Sequence, residues 1–181
     1  MYTPSIIAVL ALAVSNVYAA KDCICEEDVY KVADNYGLLF SNYTNEFAAR
    51  VVTPDYHVQT DSVSWLANNG TNCPFTLGKW TYTNVTELQL AQSTQPNIPW
   101  VNTNVFWNCE RIFVRWRSEL ENQQVQGISI ILPERNPNND TEVPWLIKTV
   151  FAEFNTGAWI ANFDIPVGTS PCKTGKASAF E

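Results

Sequence analysis

From Glu26 to Phe47 apolar side chains recur at three- and four-residue steps, through Val29, Val32, Ala33, Tyr36, Leu39, Phe40, Tyr43 and Phe47. That spacing lays one stripe along a helix. Glu26, Glu27 and Asp28 fall in its first turn, where carboxylates face the positive end of the helix dipole. The polar run from Ser41 to Asn45 interrupts the stripe, so one long helix and a short one ending near Arg50 are expected. Val51 to Asp61 reads as extended, because Pro54 pushes the residue before it toward strand geometry. Asn68 to Thr76 is turn-rich, and Thr83 is the expected N-cap of a helix running to about Gln92.

After Pro99 the period changes to two. Val101 to Cys109, Arg111 to Leu120, Val125 to Leu132 and Trp145 to Phe154 are rich in β-branched and aromatic residues and predict four strands. Trp159 to Phe163 predicts a last short strand after the Thr156-Gly157 turn. Helices first and strands later make an α+β chain, with N-terminal helices packed in a strongly curved, mostly antiparallel sheet.

Composition narrows the class. The 181 residues carry 18 Asp and Glu against 11 Lys and Arg, a formal charge of −7, which argues against nucleic acid as a partner. With 46% hydrophobic and 16% charged residues the chain is a folded domain. The single histidine, His57, excludes a multi-histidine metal site. No phosphate-binding glycine loop, Gly-x-Ser-x-Gly elbow or His-Glu-x-x-His helix occurs, so no cofactor or catalytic metal is expected.

The apolar run Ile6 to Val14, followed by Val17-Tyr18-Ala19, reads as a secretory signal over residues 1–19. It is too short for a stable membrane anchor. Four Asn-x-Thr sequons, at Asn42, Asn69, Asn84 and Asn139, add glycosylation to a secreted or secretory-lumen location. Five cysteines in such a compartment should mostly pair. The expected bridges are Cys73 with Cys109, and Cys172 with Cys23 or Cys25, leaving one thiol over.

The element order, with Val32-Ala33-Asp34-Asn35-Tyr36, Asp55-Tyr56 and Asp61-Ser62-Val63, resembles nuclear transport factor 2-like and SnoaL-like polyketide cyclase proteins. Val114 to Ser118, Pro144 to Ile147 and Glu153 to Trp159 are similar to the secreted fungal branch of that family. The resemblance covers residues 25–165 as one cone-fold domain, with 166–181 as a tail. It implies a cone with an apolar interior and, in many relatives, cyclase or dehydratase chemistry using His and Asp inside the cone.

Three constellations are candidates for that chemistry. If the first strand is regular, Asp55, His57, Gln59 and Asp61 share one face, and His57 with Asp61 could move a proton if that face lines the cavity. An exposed polar face is the alternative. Arg115 could bind an enolate or carboxylate oxygen if it reaches the interior; otherwise it and Arg117 are surface residues paired with Glu119 or Glu121. Tyr36, Trp65, Trp107, Trp116 and Phe151 are the candidate substrate-binding aromatics, with core packing as their ordinary role.

The favoured function is a cofactor-independent enzyme of natural-product biosynthesis. It would cyclise, dehydrate or isomerise an apolar polyketide or terpenoid intermediate, a hetero-Diels–Alder cycloaddition being one case implied by the resemblance. The alternative is a non-catalytic secreted binding protein for a hydrophobic ligand or a partner protein. A surface effector is a third reading. A homodimer through the open sheet face is expected by analogy.

Overall fold

The computed structural model describes residues 23–67 and 77–163. The signal segment 1–19, the sequon at Asn69, the cysteines Cys73 and Cys172 and the tail 166–181 lie outside the described residues. Five helices and five strands follow in the order α1 (Glu26–Ser41), α2 (Asn45–Val51), β1 (Val52–Gln59), α3 (Asp61–Ala67), α4 (Val85–Gln92), β2 (Val101–Trp107), β3 (Ile112–Ser118), β4 (Val125–Arg135), β5 (Trp145–Phe154) and α5 (Thr156–Phe163). The fold is the expected α+β cone.

The helical stripe and its interruption are both present. Val29, Val32, Ala33, Tyr36 and Leu39 are the buried face of α1. Thr44 ends the break by accepting the Phe47 N–H at 3.0 Å, a side-chain cap that starts α2. The cap of α4 is Asn84, one residue later than expected, whose Oδ1 accepts the Glu87 N–H at 2.9 Å. Thr83 is instead held from outside the helix, its N–H donating to the Glu87 carboxylate at 2.7 Å.

The sheet runs β1-β5-β4-β3-β2, parallel between β1 and β5 and antiparallel elsewhere. Irregularities at Val52/His57, Asn102/Asn104 and Leu132/Pro133 break the register. Such bulges bend and twist a strand, which lets a five-stranded sheet curl around α1. Pro133, which lacks an N–H for the ladder, sits at one of them. Ile112, Val114 and Trp116 of β3 and Val125, Ser129 and Ile131 of β4 face inward onto the helices.

Three expectations are corrected. Asp61 does not extend β1; it opens α3, where its N–H donates to Glu153 Oε1 at 2.8 Å and the Ser62 N–H to Oε2 at 2.9 Å. Glu153 thus serves α3 as an N-terminal cap supplied by the sheet. Trp159 to Phe163 is helical, because Asn155 caps the segment by accepting the Ala158 N–H at 3.1 Å. Cys109 pairs with Cys23 rather than Cys73, since the turn after β2 lies beside the start of α1, where Tyr30 meets Trp107 edge-on at 6.0 Å. Cys25 is exposed and has no disulfide partner among the described residues. Asn42 and Asn139 are exposed, and Asn139 adopts a left-handed φ of 53° that asparagine tolerates in turns.

Candidate functional site

The cone encloses a cavity of about 470 Å³, within the range of small-molecule sites. Its walls come from α1 (Tyr36, Phe40), β1 (Tyr56, Val58), β3 (Trp116) and β5 (Ala152, Phe154). Val63 and Leu66 of α3, Leu88 of α4, Trp100 and Trp159 complete it. Among the described lining residues there is no Asp, Glu, Lys, Arg, His or Cys. The polar side chains among the lining residues are hydroxyls and amides, Tyr36, Tyr56, Tyr82, Thr60, Gln92 and Gln95 among them.

A chain of aromatic rings forms one side. Phe40 stacks on Trp100 at 4.9 Å, Trp100 on Trp116 at 4.2 Å, and Phe154 and Trp159 continue the row at 5.9 and 5.4 Å. Two glycines make the indole pair possible. A Cβ on Gly37 of α1 would lie 2.5 Å from Trp100 Cδ1, and one on Gly127 of β4 would lie 2.5 Å from Trp116 Cε2. The order across the wall is therefore Gly37, Trp100, Trp116, Gly127. Gly127 is the register partner of Trp116, so the indole lies flat over a strand position that carries no side chain.

Hydrogen bonds fix both indoles. Trp100 Nε1 donates to Asn102 Oδ1 at 2.8 Å, and Asn102 Nδ2 donates to Asp34 at 3.0 Å. Trp116 Nε1 donates to Ser129 Oγ at 3.1 Å, and that hydroxyl donates to the Tyr36 oxygen at 3.1 Å. Burial pushes the Tyr36 phenol up to about 12, opposed by the Ser129 bond. Burial likewise raises Tyr56 and Tyr82. All three phenols are neutral donors at physiological pH.

The sequence candidates divide between the two faces of the sheet. Tyr36 and Trp116 line the cavity. His57 alternates with the cavity-lining Tyr56 and Val58, so its ring lies on the outer face, edge-on to Trp80 at 5.3 Å. Asp61 accepts the Gly78 N–H at 2.7 Å and does not face His57 across a strand. Arg115 is exposed on the outer face and donates to Gln126 Oε1 at 3.0 Å. The surface alternative holds for its neighbour, Arg117, which pairs with Glu119 at 2.7 Å. Phe151 is exposed and packs on Trp80 at 5.8 Å, and Trp107 is exposed beside Tyr30. Trp65 is half-buried on α3 and is not a cavity-lining residue.

Sequence reasoning counted Trp159 among the aromatics near the strands and passed over Tyr56, Tyr82 and Trp100 as site residues. Tyr56 and Val58 alternate within the strand that carried His57, so the signal was there with the opposite phase. Trp100 carried only a weak one, an aromatic between Pro99 and a strand start.

The arrangement can bind an uncharged, mostly apolar molecule and donate hydrogen bonds to it. Burying a bare charge here would find no counter-charge among the described lining residues.

Comparison with known proteins adds the family. No curated protein matches the chain. A solved NTF2-like protein of unknown function from Burkholderia xenovorans LB400 is similar at 11% identity and a TM-score of 0.50, over 72% of this chain and 84% of that one. A putative ketosteroid isomerase from Kribbella flavida DSM 17836 is similar at 11% identity and TM-score 0.50, over 71% and 78%. A hypothetical protein with a ketosteroid isomerase-like fold from Catenulispora acidiphila DSM 44928, in complex with trimethylamine, is similar at 7% identity and TM-score 0.50, over 77% and 97%. At such identities the likeness is one of fold. The NTF2-like domain model matches residues 22–166, most of the sequence, and the chain belongs to that family.

Proposed function

We propose that the cone binds one uncharged, largely apolar small molecule and acts on it without a cofactor, as a cyclase or isomerase working by orientation and phenol hydrogen bonding. One observation carries this reading: the cavity of about 470 Å³ is aromatic-walled, with no carboxylate, ammonium, guanidinium or imidazole among its described lining residues. Reactions that need a strong base inside the cone are disfavoured by the same observation. Ring closures whose reactants need mainly to be held together are favoured, a hetero-Diels–Alder cycloaddition being one, since orientation supplies much of their rate. The ketosteroid isomerase name carried by one structural neighbour puts isomerisation among the reactions to test.

A polyketide or terpenoid intermediate in a secretory compartment fits this chemistry. The Cys23–Cys109 disulfide supports that compartment, and no described helix is long and apolar enough to cross a membrane. We also propose that the exposed apolar residues on the outer face of the sheet, Phe106 65% and Ile128 58% exposed, pair with a second copy.

A second reading, a non-catalytic carrier of the same class of ligand, is favoured by the shortage of groups that exchange protons near neutral pH. Comparing metabolites from the producing organism with and without the gene separates the two. Loss of one cyclised product and build-up of its open precursor supports the enzyme. An unchanged profile, with a small molecule co-purifying in the cone, supports the carrier and refutes catalysis.

A further inference from the structure

The cavity has a direction. Its innermost described walls include Tyr56, Tyr36 and Trp116, which are 2%, 3% and 4% exposed. The exposed residues among the described lining are Ala67, at the end of α3, and Thr94, Gln95 and Pro96, just after α4. The mouth therefore lies between α3 and the chain that leaves α4. Gln92, the last residue of α4, is half-buried and borders the same passage. The Gln95 N–H donates to the Gln92 carbonyl at 3.0 Å, a turn that makes neighbours of the two side chains.

Those two side chains are the unspent polar groups of the mouth. The Thr94 hydroxyl donates to the Ala91 carbonyl at 3.0 Å. Gln89, earlier on α4, does not line the cavity and gives its amide to the Asn45 carbonyl at 3.0 Å. The Gln92 and Gln95 amides have no hydrogen-bond partner among the described residues. A primary amide offers N–H donors and a carbonyl acceptor. Two of them together match a group that both donates and accepts, which a hydroxyl does and a methyl cannot. A carboxylate would use only the N–H groups, and no cation among the described lining residues offsets its charge. Behind the amides stand stacked rings, Trp100 and Trp116 at 4.2 Å, which suit an apolar ring body.

We propose that the ligand is a neutral alcohol with an apolar ring body, seated body first, so that its hydroxyl lies at the mouth between the side-chain amides of Gln92 and Gln95. This rests on the reading of the cone as a site for an uncharged ligand, and adds the group that is recognised and the direction of entry.

The test uses the full chain with naphthylethanol and propylnaphthalene, which share one skeleton and exchange a terminal hydroxyl for a methyl. Affinities are read by calorimetry for the wild type, for the double variant Gln92→Leu/Gln95→Leu and for Gln89→Leu. The double variant should bind the alcohol about fivefold or more weakly while the hydrocarbon changes less than about twofold. Comparing the two ratios cancels the solubility difference between the probes. Gln89→Leu should change neither affinity. The double variant breaks no described bond and should melt within about 2 °C of the wild type, so a binding loss is not a folding loss. A short ethylene glycol chain on the hydroxyl oxygen should be tolerated, and the same chain on the far ring edge should block binding.

If the double variant shifts both probes equally or neither, the amides serve only water and the hydroxyl assignment falls, while the uncharged-ligand reading stands. Tolerance of the chain at the far ring edge alone would overturn the direction of entry. If neither neutral probe binds the wild type, the uncharged-ligand reading falls and takes this inference with it. Tighter binding of naphthylacetate or naphthylethylamine than of the alcohol would refute both.

Discussion

Replacing Gly127 by alanine tests the indole sandwich on which the cavity wall depends. The new Cβ would lie 2.5 Å from Trp116 Cε2 and 2.9 Å from the Glu153 carbonyl oxygen, where ordinary contacts need about 3.5–4 Å. One neighbour is backbone and cannot yield cheaply. The other is an indole with Trp100 stacked 4.2 Å behind it, and Trp100 is itself seated on Gly37. The whole stack must shift by about 1 Å. Overpacking of this kind costs about 1–3 kcal/mol, and the upper end applies because nothing in the stack is flexible. Tilting the indole also strains the Trp116–Ser129 bond, worth about 1 kcal/mol. The expected total is about 3–4 kcal/mol, roughly a 10 °C fall in melting temperature for a domain of this size. Denaturant and thermal unfolding measure it. Gly127→Ala combined with Trp116→Phe removes the ring atoms that collide, so the double variant should be at least about 1 kcal/mol more stable than the two single costs added together. A Gly127→Ala protein within about 0.5 kcal/mol of wild type, or two costs that simply add, would refute the sandwich.

Further outcomes follow from other parts of the structure. The Tyr36 phenol is raised from 10.0 to about 12 in the folded chain, so the unfolded chain ionises first; that stabilisation is intact below pH 10 and about 3 kcal/mol is lost as pH climbs from 10 to 12. Urea midpoints over that window should fall less steeply for Tyr36→Phe. Cys23–Cys109 closes a separation of 86 residues, so Cys23→Ser should cost about 4–5 kcal/mol by loop entropy, read by unfolding with and without reductant; no difference would mean the bridge does not constrain the unfolded chain. His57→Ala removes a ring from the outer face, so affinity for a neutral cavity probe should stay within twofold of wild type. A larger loss would bring His57 back as a site residue.

The elements were legible where the pattern had a long enough run to settle its period. Val29 to Leu39 and the four strands after Pro99 match helices and strands within a few residues, and α1, β3, β4 and β5 each bury one face against a common core. Failures fall on short segments governed by one polar contact. Trp159 to Phe163 has strand-forming residues, yet Asn155 caps it as a helix. Asp61 continues the alternation of β1 on paper, but the Glu153 carboxylate collects the first N–H groups and starts α3 there. Contacts between residues 92 and 91 positions apart leave no local trace in the sequence. The disulfide belongs to the same class, since Cys23 and Cys109 meet only because the turn after β2 returns to the start of α1.

Which face of the sheet borders the cavity was not legible for a different reason. Periodicity tells which residues share a face but not which face encloses a cavity, and in an ordinary half-exposed strand chemistry would be sought among Asp55, His57 and Gln59. Here both faces of the sheet carry apolar residues, the outer one mixed with polar and charged side chains such as His57 and Arg115. Outside, Phe106, Phe113, Ile130 and Phe151 are successive register partners across four strands, ending at Gln59 of β1. Inside, on the Trp116–Gly127–Phe154 row, a glycine between two aromatics leaves room for an indole to lie flat. The outer row fills its pleat with bulk and presents it outward, while the inner row removes bulk at Gly127 and leaves that space to the Trp116 indole. Among the described lining residues, interior polarity consequently comes from the phenols of Tyr36, Tyr56 and Tyr82 and from threonine and glutamine side chains, and not from charged residues. The space inside a wall built this way is set by ring packing, so the cavity should change most through Gly37 and Gly127 rather than through any charged residue.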